Sequence, residues 1–163
     1  IHLGQAAREV VRQLRDMAKA NGVTVRVSAD IPPVEVNAAA VELCLTNLIS
    51  NAIKYADPAS PNSWVEVRAR LSADAGEAGQ EVVVEVVDNG AGVPVAERHR
   101  LFERYFRAED ARGGDIDGTG LGLSIVRETT AALGGRAWAE FLDGESTFGF
   151  TLPRRRRDDP AGA

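Results

Sequence analysis

The order of helix-like and strand-like segments constrains the fold of this chain more than any other feature. WVEVRARL and EVVVEVVD read as two strands, and the polar segment between them, SADAGEAGQ, predicts a hairpin. RAWAEF and TFGFTLP predict a final pair of strands, VTVRVSA an earlier strand, and VEV (34–36) a short one. Helices mixed with hairpins favour a two-layer α/β sandwich, in which about three helices cover one face of a mixed, mostly antiparallel sheet.

Three segments have the apolar periodicity of helices. The first, LGQAAREVVRQLRDMAKANG, is expected to end at Asn21-Gly22 and to carry Leu3, Ala7, Val10, Leu14 and Met17 on one face. The second, AAAVELCLTNLISNAIKYA, is expected to bury Val41, Leu45, Leu48 and Ala52. The third, LGLSIVRETTAALGG, is expected to stop at Gly134-Gly135. A further short helical segment is expected in PVAERHRLFERYF.

Length and composition predict one domain. The 163 residues are 44% hydrophobic and 26% charged, and the net charge of −5 disfavours a general nucleic-acid binder. We expect a domain over residues 1–153 and a polar tail over 154–163, where four arginines precede two aspartates. The single cysteine, Cys44, lies in an apolar helix pattern and favours a reducing compartment. A first residue other than Met suggests a piece of a longer protein.

Three glycines alternate in DGTGLGLSIV (117–126), directly before the third helix. The free N–H groups of a helix N-terminus favour an anion, commonly a phosphate. The segment is not a Walker A loop, because Thr119 stands where the lysine belongs, and it lacks the spacing of a dinucleotide-binding loop. The glycines by themselves therefore leave two alternatives open, a structural turn and a phosphate site.

Two other groups of polar residues are candidates for binding. Asn47, Asn51 and Lys54 recur at i, i+4 and i+7, so they share one face of the second helix. That face is either solvated or a site, and an amide oxygen suits Mg²⁺. Asp88 ends an apolar strand and is followed by Gly90 and Gly92, which indicates either an Asp-Gly turn or an acceptor for the amine of a flat ligand.

Taken in order, NLISNAIKY, DNGAG and GTGLGL resemble the three ATP-binding boxes of the GHKL superfamily, which includes sensor histidine kinases, gyrase-type topoisomerases, mismatch-repair ATPases and heat-shock chaperones. LFERYFRAED (101–110) resembles the additional box of the sensor histidine kinases. The resemblance covers nearly the whole chain and implies the Bergerat-type ATP-binding fold, with ATP and Mg²⁺ as cofactors.

The resemblance also implies roles for individual residues. Asn51 would hold magnesium, and Lys54 and Arg107 would contact phosphates. Tyr55 would lie beside adenine or ribose, and Asp88 would accept a hydrogen bond from the adenine amine. The complete set of implied nucleotide-binding residues is Asn51, Tyr55, Asp88, Gly90, Gly92, Gly118, Thr119, Gly120, Leu121 and Gly122. Residues 93–117 would form a mobile lid, with Phe102 and Phe106 anchoring it by packing.

Asn47 distinguishes a kinase from an ATPase within this superfamily. In the hydrolysing relatives a glutamate at that position activates water, whereas an amide cannot act as a base. The resemblance implies Asn47, Lys54 and Arg107 as the catalytic residues on this chain. The alternatives are an ATPase of the same superfamily, a serine kinase acting on an anti-sigma antagonist, and a degenerate nucleotide-binding module.

The phosphoacceptor histidine is not expected on this chain, because neither His2 nor His99 lies in a suitable sequence context. The expected partners are ATP, a dimerisation and histidine phosphotransfer domain of the same parent protein and, through the parent, a response regulator. The domain is expected to be a cytoplasmic monomer, and its parent is compatible with a membrane anchor.

Overall fold

Five strands form one mixed sheet, and helices pack on one of its faces. The computed structural model describes residues 1–72, 80–90, 92, 95–102 and 122–154. In chain order the elements are α1 (Leu3–Gln13), α2 (Arg15–Ala20), β1 (Val23–Val27), α3 (Ala38–Lys54), β2 (Ser63–Leu71), β3 (Glu81–Asp88), a 3-10 helix (Val95–Arg100), α4 (Gly122–Ala132), β4 (Ala137–Leu142) and β5 (Glu145–Pro153). The spatial order of the strands is β1-β2-β3-β5-β4.

The sheet is mixed and mostly antiparallel, as the sequence predicts. β1 runs parallel to β2, and the other three neighbouring pairs are antiparallel. The predicted hairpins are confirmed in β2–β3 and β4–β5. Valines on both faces of β3 are buried, and β3 is the central strand of the sheet. Asp88 is the last residue of this buried strand, so the fold brings its carboxyl group to the end of the sheet.

The expected stripe of α3 is confirmed in the core. Val41, Leu45, Leu48 and Ala52 are all buried, together with Cys44. The helix begins at the N-cap Asn37, whose side-chain oxygen accepts a hydrogen bond from the N–H of Ala40. Burial raises the pKa of the Cys44 thiol to about 12, so this cysteine is a core residue rather than a reactive one.

Two local predictions are wrong. The first helical segment is divided at Leu14, whose ψ of 6° bends the chain, so that α1 packs against α3 and α2 against β1. The expected strand at 34–36 is only an isolated bridge between Glu35 and His2. Val34 and Val36 are buried there. The carbonyl of Val34 accepts from the N–H of Leu3, the first residue of α1, and the N–H of Val36 donates to the carbonyl of Ile1, so the segment is held against the start of α1 and outside the sheet.

Gly134-Gly135 end α4, as the sequence predicts. Gly134 has a φ of +84°, and the N–H of Gly135 donates to the carbonyl of Thr130 at 2.8 Å. The chain then enters β4 in close contact with β5. A Cβ on Gly135 would lie 1.9 Å from the carbonyl oxygen of Thr151, so no larger residue fits without displacing the backbone.

We expect Gly135→Ala to lower the free energy of unfolding by about 3 kcal/mol or more, because the new methyl group would collide with backbone rather than with a flexible side chain. Gly22→Ala is the matched control. Gly22 has a φ of +68° but nothing within 4 Å of its Cβ position, so only backbone strain of about 1 kcal/mol is expected. Urea unfolding of both variants measures the difference, and equal losses would contradict this account of Gly135.

Candidate functional site

The last turns of α3 bring polar side chains to the start of α4. Asn47, Asn51 and Lys54 are half-buried on the flank of α3, next to its apolar stripe. Gly122, the first residue of α4, has no side chain, and a Cβ there would lie 3.1 Å from Asn47 Oδ1 and 3.4 Å from Asn51 Nδ2. The glycine therefore lets the N-terminus of α4 contact both amide groups.

The two asparagines differ in their hydrogen bonds. Asn47 donates from Nδ2 to the carbonyl of Leu43 at 2.8 Å, so its own helix fixes the side chain and its Oδ1 lies near Gly122. Asn51 makes no side-chain hydrogen bond with the residues that the structure describes. Its amide oxygen is therefore available to a ligand, and a neutral, hard oxygen of this kind suits Mg²⁺.

The opposite end of the site is formed around Asp88. The N–H of Gly90 donates to Asp88 Oδ1 at 2.8 Å, and a Cβ on Gly90 would lie 2.8 Å from the same oxygen. That position is also 3.3 Å from the carbonyl oxygen of Tyr55, the C-cap residue of α3. The end of α3 and the end of β3 thus meet at Gly90, and a side chain there would press on both.

Asp88 is a buried carboxyl group, with only 6% of its surface exposed. Burial raises its pKa to about 6, the N–H of Gly90 opposes that rise, and the negative charge of Glu145 adds to it. Oδ2 accepts no hydrogen bond from the described part of the chain. At neutral pH the site therefore presents a largely ionised acceptor in surroundings with little water.

Two residues that the sequence reasoning missed lie next to Asp88 in the sheet or the chain. Ser146 lies directly opposite Asp88 in the β3–β5 register and is 4% exposed. Asn89 accepts from the N–H of Trp64 and donates to the carbonyl of Asn62, which ties the end of β3 to the start of β2. Asn89 was visible within the DNGAG motif, whereas only the strand register identifies Ser146.

A cleft of about 280 Å³ lies beside this end of the site. It extends from Gly92, which has a φ of +76°, to the turn between β4 and β5. The guanidinium of Arg98 lies over the ring of Phe141, 4.3 Å from its centroid, and both residues line the cleft. This contact attaches the 3-10 helix to the β4–β5 hairpin.

Several sequence predictions lie outside the described residues. They are Arg107, Gly118, Thr119, Gly120, Leu121, Phe106, most of the expected lid over 93–117, and residues 155–163 of the expected tail. At the start of the lid, Leu101 is buried and Phe102 is half-buried. Among the described helices, none combines the length and the apolarity needed to cross a membrane.

Residues 36–156 match the model of the histidine kinase-, DNA gyrase B-, and HSP90-like ATPases. The sensor histidine kinase WalK of Bacillus subtilis is 35% identical over 127 residues, which are 77% of this chain and 20% of WalK. The chain thus spans about a fifth of that relative.

Solved structures have the same fold. The mycobacterial sensor histidine kinase MprB has a TM-score of 0.77 and 25% identity, covering 95% of this chain and 97% of the MprB chain. Full-length ShkA in complex with AMPPNP has a TM-score of 0.71 and 26% identity, covering 94% of this chain and 30% of the ShkA chain. These matches confirm the predicted α/β sandwich.

We expect Asp88→Asn to stabilise the protein at pH 7 by up to about 3 kcal/mol, because the buried charge is removed and an oxygen remains for Gly90. The folded-state pKa of about 6 lies above the ordinary 3.8, so the folded state binds the proton more tightly. In the wild type, the contribution of Asp88 to the free energy of unfolding is therefore fully present below about pH 4 and is lost as the pH rises to about 6. The difference in free energy of unfolding between Asp88→Asn and wild type should grow between about pH 4 and pH 6 and then stay constant.

Urea unfolding between pH 4 and pH 8 measures this difference. Asp30→Asn is the matched control, because Asp30 is exposed and its replacement should change stability by less than about 0.5 kcal/mol. A difference between Asp88→Asn and wild type that does not vary with pH would contradict the account of the buried charge.

Proposed function

We propose that this chain, which belongs to the histidine kinase-, DNA gyrase B-, and HSP90-like ATPase family, binds Mg-ATP and donates the γ-phosphoryl group to a histidine on a separate dimerisation and phosphoacceptor domain. The observation that carries the proposal is the position of the two polar clusters along α3. Tyr55 lies beside Gly90 and the buried Asp88, whereas Asn51 lies beside Gly122. A nucleotide with its base at the first cluster and its phosphates at the second would lie along the helix.

Asp88 supports the choice of adenine as the base. The N6 amine of adenine is a donor that matches an ionised carboxylate, whereas guanine carries an acceptor oxygen at the same position. Gly90 and Gly92 have no side chains that would fill the space beside the carboxylate. Tyr55 is the C-cap residue of α3 and lies next to Gly90. ShkA, whose structure has this fold, holds AMPPNP, an adenine nucleotide analogue.

The start of α4 supports the placement of the phosphates. A helix N-terminus presents free N–H groups and the positive end of the helix dipole, both of which favour an anion. In the proposal, the residues that surround the phosphates are Lys54, Arg107, Gly118, Thr119, Gly120, Leu121 and Gly122. Lys54 and Arg107 carry the positive charge of this set and stabilise the charge on the transferred group.

Asn51 is the proposed magnesium ligand. Its amide is half-buried beside Gly122, and among the described residues no three His, Cys, Asp or Glu side chains are grouped to hold a metal ion. One amide oxygen fits the habit of Mg²⁺, which takes its remaining ligands from water and substrate phosphates. Bound there, the ion would neutralise phosphate charge.

Asn47 favours transfer over hydrolysis. Its Nδ2 is held by the carbonyl of Leu43, and its Oδ1 lies near Gly122, where a carboxylate would be needed to activate water. An amide does not take up a proton there. In the transfer, the bond from the γ-phosphorus to the bridging oxygen of ADP breaks, a bond to the histidine nitrogen forms, and the imidazole proton passes to a base on the acceptor domain.

Residues 1–153 would be the ATP-binding domain, with residues 93–117 as a lid over the nucleotide and 154–163 as a tail. The domain would be a cytoplasmic monomer in isolation, and its phosphoacceptor domain would pass the group on to a response regulator. WalK is a sensor histidine kinase, which supports the assignment of this chain to a kinase of that kind.

We expect calorimetry to detect binding of ADP and no comparable binding of GDP, because the guanine oxygen would leave the buried Asp88 unpaired. At well-built polar sites such a mismatch lowers the preference for the wrong ligand on the order of 10⁴-fold. Equal affinities for ADP and GDP would contradict the role of Asp88.

With radiolabelled ATP, the chain alone should neither label itself nor release phosphate quickly, and an added phosphoacceptor domain should become labelled. Acid-stable label on this chain would indicate a serine kinase, and fast phosphate release an ATPase.

We expect Asn51→Ala to remove most of the increase in ATP affinity that magnesium produces, because the variant lacks the proposed ligand oxygen. Binding of ADP without magnesium should be nearly unchanged. Thr46→Ala is the control, since Thr46 is also half-buried on α3 but is not part of either cluster. Calorimetry with and without the ion measures both effects, and an unchanged magnesium dependence would show that the ion is held elsewhere.

A further inference from the structure

The residues that follow β3 lie over one row of the sheet. Asp88 of β3, Ser146 of β5 and Phe141 of β4 are direct partners in the strand register, and we call them the end row. Direct partners in adjacent strands share a face of the sheet. Asp88 also shares its face with Val86, two residues earlier, which is part of the same core cluster as the buried residues of α3. The end row therefore lies on the face that the helices cover.

Contacts from the chain after β3 follow the end row from strand to strand. The N–H of Gly90 donates to Oδ1 of the aspartate at 2.8 Å. A Cβ on Gly92 would lie 3.9 Å from Oγ of the serine. The guanidinium of Arg98 lies over the ring of the phenylalanine, 4.3 Å from its centroid. The contacts thus pass from β3 over β5 to β4, and the Arg98 stack is the contact on β4.

The core holds the ring of Phe141 from behind. This ring meets that of Phe148 edge-on, with 5.9 Å between the ring centroids, and Phe148 packs against the hydrophobic core. Phe141 therefore offers Arg98 a fixed aromatic face. Arg98 is half-buried over that face, and partial removal of water strengthens the attraction between a cation and a ring.

Gly90 and Gly92 lack side chains that could hold their own backbone in place. Glycine also loses more conformational freedom on folding than any other residue. Gly92 has a φ of +76°, which residues with a side chain rarely adopt. The hydrogen bond to Asp88 restrains Gly90 from one side only. A second fixed point further along the chain therefore restricts the positions of both glycines.

We propose that Arg98 and Phe141 are positioning residues of the nucleotide site, whose stack holds Gly90 and Gly92 over the end row. Oδ1 of Asp88 then stays bonded to Gly90, and Oδ2 is presented to the adenine amine. The inference rests on the proposed function, since Asp88 is there the acceptor of that amine. Neither Arg98 nor Phe141 belongs to the sequence motifs that indicate ATP binding.

Leu101 is a different candidate for the fixed point, because it is buried directly after the 3-10 helix. The Arg98 stack differs in that it lies on the end row itself, where Phe141 is the register partner of the serine beneath Gly92. The two alternatives predict opposite results. With Leu101 alone as the fixed point, loss of the stack leaves Gly90 and adenine binding unchanged.

Hydrogen exchange of the nucleotide-free chain tests the positioning without any ligand. The Gly90 amide should exchange about threefold faster than in wild type in both Arg98→Ala and Phe141→Leu, because opening of its bond to Asp88 no longer has to break the stack. The amide of Ala40, which is bound to the N-cap of α3, should keep its wild-type rate.

Calorimetry tests the effect on the nucleotide. Both variants should bind ADP without magnesium about threefold more weakly than wild type, because a smaller fraction of molecules has the site in its binding form. The double variant should lose no more affinity than either single variant, since the two residues act through one contact. Arg98→Lys keeps a cation over the ring and should retain part of the affinity. The increase in ATP affinity that magnesium produces should be unchanged, since Asn51 belongs to the other cluster.

Arg136→Ala is the matched control. The guanidinium of Arg136 lies over the ring of Trp138, 5.2 Å from its centroid, so the contact is of the same kind. Trp138 and Phe141 are three residues apart on β4, so their side chains lie on opposite faces of the sheet. Arg136→Ala should therefore leave both the exchange of Gly90 and the ADP affinity at their wild-type values.

The outcomes separate the inference from the proposed function. If ADP does not bind to wild type, the proposed function fails, while hydrogen exchange still tests whether the stack holds Gly90. If ADP binds and Arg98→Ala leaves either the Gly90 exchange or the ADP affinity unchanged, the inference is overturned and the function stands. Additive losses in the double variant, or a matching loss in Arg136→Ala, would also overturn it.

Discussion

The burial of one side of α3 against the sheet is the constraint on which the rest of the structure depends. Val41, Leu45 and Leu48 are almost completely buried, which fixes how the helix is rotated about its axis. With that rotation set, Asn47 and Asn51 emerge on the flank that α4 approaches. The same packing fixes the end of α3, so that Tyr55 meets Gly90 after β3. One apolar stripe thereby positions both polar clusters of the candidate site.

Asp88 illustrates the cost of placing a binding group at the end of a central strand. The neighbours of β3 exclude water from the carboxyl group, which strengthens its interaction with a matching donor and makes its free ionised form less favourable. The N–H of Gly90 compensates for part of this loss, and Glu145 increases it. A residue of this kind is better explained by a ligand than by stability, because a neutral residue would suit the empty fold better.

The sequence predicted most of the architecture, because hydrophobic periodicity reports burial directly. It identified the stripe of α3, both hairpins and the stop of α4 at Gly134-Gly135. The predictions were wrong for short segments whose structure is fixed by contacts with residues far away in the chain. The apolar pattern at 34–36 predicted a strand, but Val34 and Val36 are held by backbone hydrogen bonds to Leu3 and Ile1, at the start of α1. Similarly, the apolar face of the first helical segment continues past Leu14 although the chain bends there to reach β1.

For the candidate site, the sequence by itself determined which residues could carry the chemistry: the amides at i and i+4 on one helix face, the carboxyl group at a strand end, and the glycines before α4. These follow from local spacing, since a helix or strand fixes the relative positions of residues a few places apart. Only the tertiary structure decided which of them meet. Gly122 lies next to Asn47 and Asn51, and Ser146 lies opposite Asp88, across more than fifty residues of chain in each case. Such contacts depend on strand register and helix packing, which arise from the folded core as a whole and leave no signal in the neighbouring sequence.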